Sequence, residues 1–466
     1  MKKYIFIAFQ LIVISYVAQD KLQSVMSLSE YLGYVKKFHP IVKQANLIIN
    51  KSESGLLKAR GAFDPKIQVD FDKKKFNDKE YYNKLNSTFK IPTYYGLEFK
   101  ANFENNSGIF LNPELDLPSG GLYSAGVSIS LLKGLLINKR MASLKQAKIF
   151  IKQAKEEQQL LINNILYNAS LSYFKWLQTY KKKLVYDFFL NNAKTRFNNT
   201  KRLAEIGDKA IIDTIEAKII LNTRKLNLEK SRINLIKSSL ELSNYLWLNN
   251  NTPIELQENI IPDISTINNL DTTFNITLFR DINFEINSHP KIKTLEYKIK
   301  SLNIDRKLKM NNLLPQMDFQ YNFLTQTPSQ SNSLNIDNFK AGINFKLPIF
   351  LRKQRGQLKL AEIKLQNIEF ENITTKFTIK NEINAILEEL KSIEIQNGYT
   401  SKIVKDYDTL LKAEERKFYL GESSLFLVNY REAVLIEAKL KAIDLENTFF
   451  KSKASLFKAT AFSVSL

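Results

Sequence analysis

The chain has 466 residues, 44% of them hydrophobic, with a formal net charge of +21; this apolar content can build a core and excludes disorder along the whole length. There is no Cys, and the two His are His39 and His289, which excludes disulfides, thiolate chemistry, a lipidated Cys and any Cys-ligated or multi-His metal site. Lys and Asn are spread along the whole chain without an Arg-rich stripe, so the basic balance reads as compositional bias and no nucleic-acid partner is expected.

The first element is an export signal. Lys2 and Lys3 precede an apolar run from Tyr4 to Val17, closed by Ala18; residues 1–18 therefore read as a signal peptide. The run falls short of the about 20 residues that a membrane-spanning helix needs, although a membrane anchor is the alternative. Ser27-Leu28-Ser29-Glu30 resembles a capping box, and helical sequence continues to about Phe63, interrupted at His39-Pro40. His39 and His289 each precede a Pro and read as break or cap residues. No further His or Cys exists to complete a ligand set.

After Pro65 the hydrophobic period becomes two, over about 65–133. Ile67, Val69 and Phe71, then Phe89 to Phe103, then Tyr123 to Leu131 hold apolar faces against polar alternates such as Lys90, Glu98 and Lys100. The same alternation returns over about 315–348, in Met317 to Phe323 and Phe339 to Leu347. One apolar, aromatic-rich face over 9–11 residues fits a transmembrane β-strand; a half-buried strand of a soluble sheet is the alternative. Between and after these segments run long helical stretches. Asn138 to Ile206 contains no Pro and no Gly, and Ile379, Ile383, Ile386, Leu390 and Ile393 make a coiled-coil seam. A helix of about 65 residues is about 100 Å long and must stand beside similar rods. Each long helix ends at a Gly, Gly207 or Gly421, the favoured residue just past a helix end. Helical hairpins are thus expected over about 138–248 and 352–459.

The chain repeats itself. His39-Pro40 and His289-Pro290 lie 250 residues apart, as do Pro65 and Pro315; Leu132 and Leu347 lie 215 apart, and Gly207 and Gly421 lie 214 apart. Landmarks in one order imply a duplication, with repeats over 22–250 and 278–466 and a linker over 251–277. The change of offset puts about 35 additional residues between Pro65 and Leu132 of the first repeat.

Duplicated helix–β-hairpin–long-helix–helix halves behind an export signal resemble the TolC family of outer-membrane efflux proteins. The resemblance covers about 22–466 and is carried by His39-Pro40 and His289-Pro290 (where the family usually has Asn-Pro), Leu314-Pro315-Gln316, Leu347-Pro348-Ile349-Phe350, and the tips at Gly207 and Gly421. It implies an α+β membrane protein in which a homotrimer shares one β-barrel in outer-membrane lipid and one periplasmic α-helical barrel. It also implies a passive exit duct for efflux or type I secretion. A periplasmic adaptor would cap the tips at Gly207, Ala210, Gly421 and Ser424 and link them to an inner-membrane transporter. Two departures stand out. Residues 86–104 look like an added strand pair, broken near Pro92, in the barrel or in a loop outside it. The family's acidic ring positions in the second half are here Leu427 and Tyr430, inside an apolar segment with Phe426 and Val428. The first half keeps acids at those steps, Asp213 and Glu216; the resemblance gives Asp213 a place in the polar latch of a closed tip, and solvated helix surface is the alternative. A periplasmic coiled-coil structural or adaptor protein is the second functional reading. No nucleophile elbow, P-loop, dinucleotide loop or metal cluster is recognisable, so neither enzyme activity nor a cofactor is expected.

Overall fold

A computed structural model describes residues 24–276, 285–329 and 335–462. The expected signal peptide lies outside the described residues, as do the last residue of the expected linker and the start of the second repeat. The chain forms two compact units, each drawing segments from before and after that linker.

One unit comprises Leu47–Gln158 and Pro290–Lys376. Its centre is an antiparallel sheet of β2 (Lys66–Phe76), β3 (Lys79–Pro92), β4 (Leu97–Ser107), β5 (Leu122–Leu132), β7 (Gln316–Thr325) and β8 (Phe339–Lys346), in that spatial order. The expected added pair is β3 and β4, hydrogen-bonded between β2 and β5 within the sheet. β2 and β3 are joined by a two-residue turn at Asn77 and Asp78, both at positive φ (49° and 54°), the geometry whose twist matches paired strands. At the opposite strand ends, the Asn138 amide donates to the Tyr94 carbonyl at 3.1 Å, and Arg140 pairs with Glu98 at 2.7 Å. These contacts tie the β3–β4 turn to the start of a long helix.

Register determines the faces, because directly opposed residues share one side of a sheet. Ile67, Phe89, Ala101, Ala125, Phe323 and Phe339 form one cross-strand row spanning all six strands. Ile91, Phe99, Val127, Tyr321 and Ala341 form the next. This apolar face is solvent-exposed in the single chain: Ile67 is 77% exposed and Ile343 67%. The other face is polar, with Gln68, Thr88, Asn102 and Ser124 in one row.

The second unit comprises residues up to Asn46, Gln159–His289 and from Phe377 onward. A short parallel pair, β1 (Ser24–Met26) and β6 (Ile260–Pro262), lies among helices α1 (Leu28–Phe38) and α5 (Thr266–Thr273). Its core buries Tyr31, Leu32, Tyr173, Phe174, Leu242, Phe274, Phe450 and Phe457, with Phe174 on Phe450 and Phe274 on Phe457 at ring distances of 5.2 and 5.1 Å. The Tyr173 hydroxyl donates to the Met26 carbonyl at 2.9 Å; burial pushes its pKa up to about 12, so it keeps its donor proton. His39 ends α1 and opens α2 (Pro40–Arg60). Its Nδ1 accepts the Ile41 amide at 3.1 Å, so the ring caps the helix that Pro40 starts. The expected long hairpins are α3 (Lys139–Glu205) with α4 (Ile211–Ser243), and α7 (Arg352–Tyr419) with α8 (Leu425–Thr460); α6 (Pro290–Asn311) precedes β7. Among the described residues no helix is long and apolar enough to cross a membrane.

Candidate functional site

The sequence points to the ends of the two helical hairpins, all within the second unit. Both long helices stop in one way. The Asp208 amide reaches the Leu203 carbonyl at 2.9 Å and the Gly207 amide the Ala204 carbonyl at 3.2 Å; Glu422 reaches Lys417 and Gly421 reaches Phe418 at the same distances. This paired pattern satisfies the last carbonyls of a helix and needs a left-handed residue after it. Gly207 and Gly421 supply it at φ 85° and 81°. The returning helices differ. Ser424 caps α8 by accepting the Leu427 amide at 3.3 Å, whereas Ala210 begins α4 with no side-chain cap.

Behind the turns lies a buried ionic network. The Glu432 carboxylate is fully buried and accepts from Arg196 Nη2 at 2.8 Å and from Arg224 Nη2 at 3.1 Å. Arg196 also donates to Asn429 Oδ1 at 3.0 Å, and the Asn429 amide donates to Glu216 at 3.0 Å. Glu415 pairs with Arg196 at 3.3 Å; burial raises its pKa despite that cation. One connected set thus braces α3, α4, α7 and α8. An adjoining apolar cluster holds Phe189, Leu411, Val428, Leu435 and Ile436.

The sequence-selected residues are placed unequally. Glu216 belongs to the network. Asp213 sits in the first turn of α4, and among the described residues no hydrogen bond or ion pair ties its side chain to another helix. Leu427 and Tyr430 are exposed, as are Phe426, Ile211, Ile212, Ile215, Tyr419 and Leu420, while Val428 is buried. The residues that sequence reasoning passed over are Arg196, Arg224, Glu415 and Asn429. Two signals existed. Arg224 continues the buried seam of Ala217 and Leu221, and Glu432 continues that of Val428 and Leu435. Opposite charges on the apolar seams of two helices mark a buried pair.

A second exposed feature runs along α4. Ile212, Ile219, Leu226, Ile233 and Leu240 recur every seven residues and are each 39–66% exposed in the single chain. An exposed apolar stripe at this spacing is the pattern that a coiled-coil partner helix covers. Among the described residues there is no group of His, Cys, Asp and Glu that could hold a metal ion.

Solved structures with this fold are outer-membrane channels. The CmeC outer-membrane channel of Campylobacter jejuni aligns with a TM-score of 0.64 at 14% identity, covering 93% of this chain and 85% of that one. The outer-membrane protein VceC of Vibrio cholerae aligns at 0.64 and 11%, covering 93% and 96%. The open state of the MtrE outer-membrane channel of Neisseria gonorrhoeae aligns at 0.64 and 11%, covering 93% and 88%. No protein-family model matches the chain, and neither does any curated protein sequence. The fold is therefore that of outer-membrane channel proteins, and it matches them over nearly their whole length.

Proposed function

We propose that this protein is an outer-membrane exit duct for efflux or type I secretion, working as a homotrimer without catalysis of its own. The observation that carries this reading is the sheet. It has two open edges, β2 and β8, and an apolar face exposed on six strands. An open sheet cannot sit in lipid, because edge amides and carbonyls would lack partners; a closed barrel can. Bacterial barrels begin at eight strands. Six strands from each of three copies close into eighteen, a size that leaves an aqueous channel. The unpartnered seven-residue stripe on α4 supports the same assembly, since a second copy can cover it. So does the fold shared with CmeC, VceC and MtrE.

In this reading β3 and β4 belong to the barrel wall, and the helical hairpins form a tunnel in the periplasm. Their tips, at Gly207, Ala210, Gly421 and Ser424, dock a periplasmic adaptor that leads to an inner-membrane transporter. Phe426, Leu427 and Tyr430 make an apolar constriction, and Asp213 helps hold the tip closed through a polar contact to a neighbouring helix; Asp213→Ala should then raise the closed-state conductance in a planar bilayer. The experiment for the reading as a whole is fractionation followed by an unboiled gel. A trimer in the outer membrane is expected, and recovery as a soluble periplasmic monomer would overturn it.

A further inference from the structure

The polar face of the sheet carries an unbalanced row of charge. Lys66 opposes Lys90, Lys90 opposes Lys100, and the row continues through Gly126 and Asn322 to Lys340. Four of its six positions are Lys and none is acidic. Directly opposed side chains stand about 5 Å apart, and like charges there destabilise a sheet. Among the described residues none of these four ammonium groups has an ion-pair partner. The row on one side, Gln68, Thr88, Asn102 and Ser124, is uncharged. The row on the other side holds one carboxylate, Glu98, which Arg140 already engages at 2.7 Å. Asp64 precedes Lys66 by two residues, just outside β2; along the strands the next acids, Asp70, Glu104 and Asp318, are four residues from the row, about 13 Å, beyond the about 8 Å Debye length at physiological salt.

Lys90 and Lys100 lie on β3 and β4, the pair with no counterpart in the second repeat. They are half-buried although charged. Lys100 lines a groove on that face together with Glu98, Arg140, Asp318 and Asn344. A row of unpaired cations at a concave polar surface raises the local concentration of anions, and rings of Lys or Arg select anions in pores.

We propose that the added strand pair makes the barrel lumen a cationic wall that favours anionic solutes, with Lys66, Lys90 and Lys100 as its specificity-determining residues. This rests on the duct reading, in which the polar face lines the lumen. Because barrel strands tilt by about 35–45°, the row winds obliquely along the wall as a stripe and guides anions over a length of the passage.

The test uses the full-length trimer in planar bilayers, with inorganic tripolyphosphate as the anionic probe on the barrel side. Wild-type current should be blocked by tripolyphosphate, and reversal potentials in a KCl gradient should favour chloride. The double variant Lys90→Gln/Lys100→Gln should still form conducting trimers, while its reversal potential shifts away from chloride and the half-blocking concentration rises about threefold or more. Should the double variant fail to assemble, Lys100→Gln alone should raise that concentration by a smaller factor. Absence of block in the wild type, or an unchanged half-blocking concentration in an assembled variant, overturns the proposal while leaving the duct. Failure of the wild type to form any trimeric channel would instead overturn the duct reading itself.

Discussion

Glu432 is the most constrained side chain behind the tips. Its carboxylate is fully buried between two guanidinium groups. Removing the charge leaves the buried Arg224 without its counter-ion and Arg196 with Glu415 alone, at a cost of about 3–5 kcal/mol. Glu432→Gln should therefore lower the thermal midpoint of the assembled protein strongly, by calorimetry or heated gel, whereas Lys412→Gln, which removes an exposed ion pair with Asp408, should scarcely move it. His39 gives a pH dependence. Burial holds its pKa below the usual imidazole value, so the folded chain favours the neutral ring, whose Nδ1 caps α2. The stability it contributes is present above the unfolded pKa of about 6.5 and is lost as pH falls through the lowered folded value. His39→Asn keeps a capping acceptor but cannot titrate, so the variant should show a flatter stability profile below about pH 6.5; an unaltered slope would assign the effect to other groups. Residue order marks a charge on each apolar seam but not which helices bring Arg196, Arg224 and Glu432 together. The two His-Pro pairs mark helix breaks in sequence, but which ring nitrogen accepts which amide is a matter of geometry.

At the scale of elements, the tips and the seam make the sharpest predictions. A residue with a Cβ at the left-handed position of Gly421 costs about 1–2 kcal/mol, and a β-branched one more, although nothing crowds the site. Gly421→Val should thus distort the turn while leaving the barrel, so that trimers form but export falls; normal export of drug or solute would separate Gly421 from docking. The α4 stripe predicts the converse. Leu226 is 55% exposed in the single chain and lies at its centre, so Leu226→Asp should leave the helical content by circular dichroism unaltered and weaken the trimer on a gel. Elements were legible to unequal depth. Alternation from Phe89 to Phe103 marks strands and even their apolar face, because period two fixes which side chains share a side. It says nothing of neighbours, and so left residues 86–104 undecided between sheet and loop until hydrogen bonding placed β3 and β4 between β2 and β5. Both long helices likewise announce their ends through Gly, whereas the Arg196–Glu432–Arg224 brace depends on which helices pack side by side, and that is decided by tertiary structure.

For the whole molecule, the single chain is physically incomplete. It carries a sheet with two open edges, an apolar face turned to solvent on six strands, and a heptad stripe without a partner. Each of these is costly for a monomer in water, and the proposed assembly would resolve all three: copies that close the sheet into a barrel in lipid and cover one another's helical stripes. In that assembly the added pair β3–β4 would set the circumference of the barrel and supply two of the lysines on its wall. The most direct measurement is an electron cryo-microscopy map of the detergent-extracted, full-length protein. The account predicts a three-fold particle whose barrel is closed by eighteen strands, six from each copy, with β3 and β4 in the wall. A particle of one copy, or a trimer whose barrel closes without β3 and β4, would contradict it.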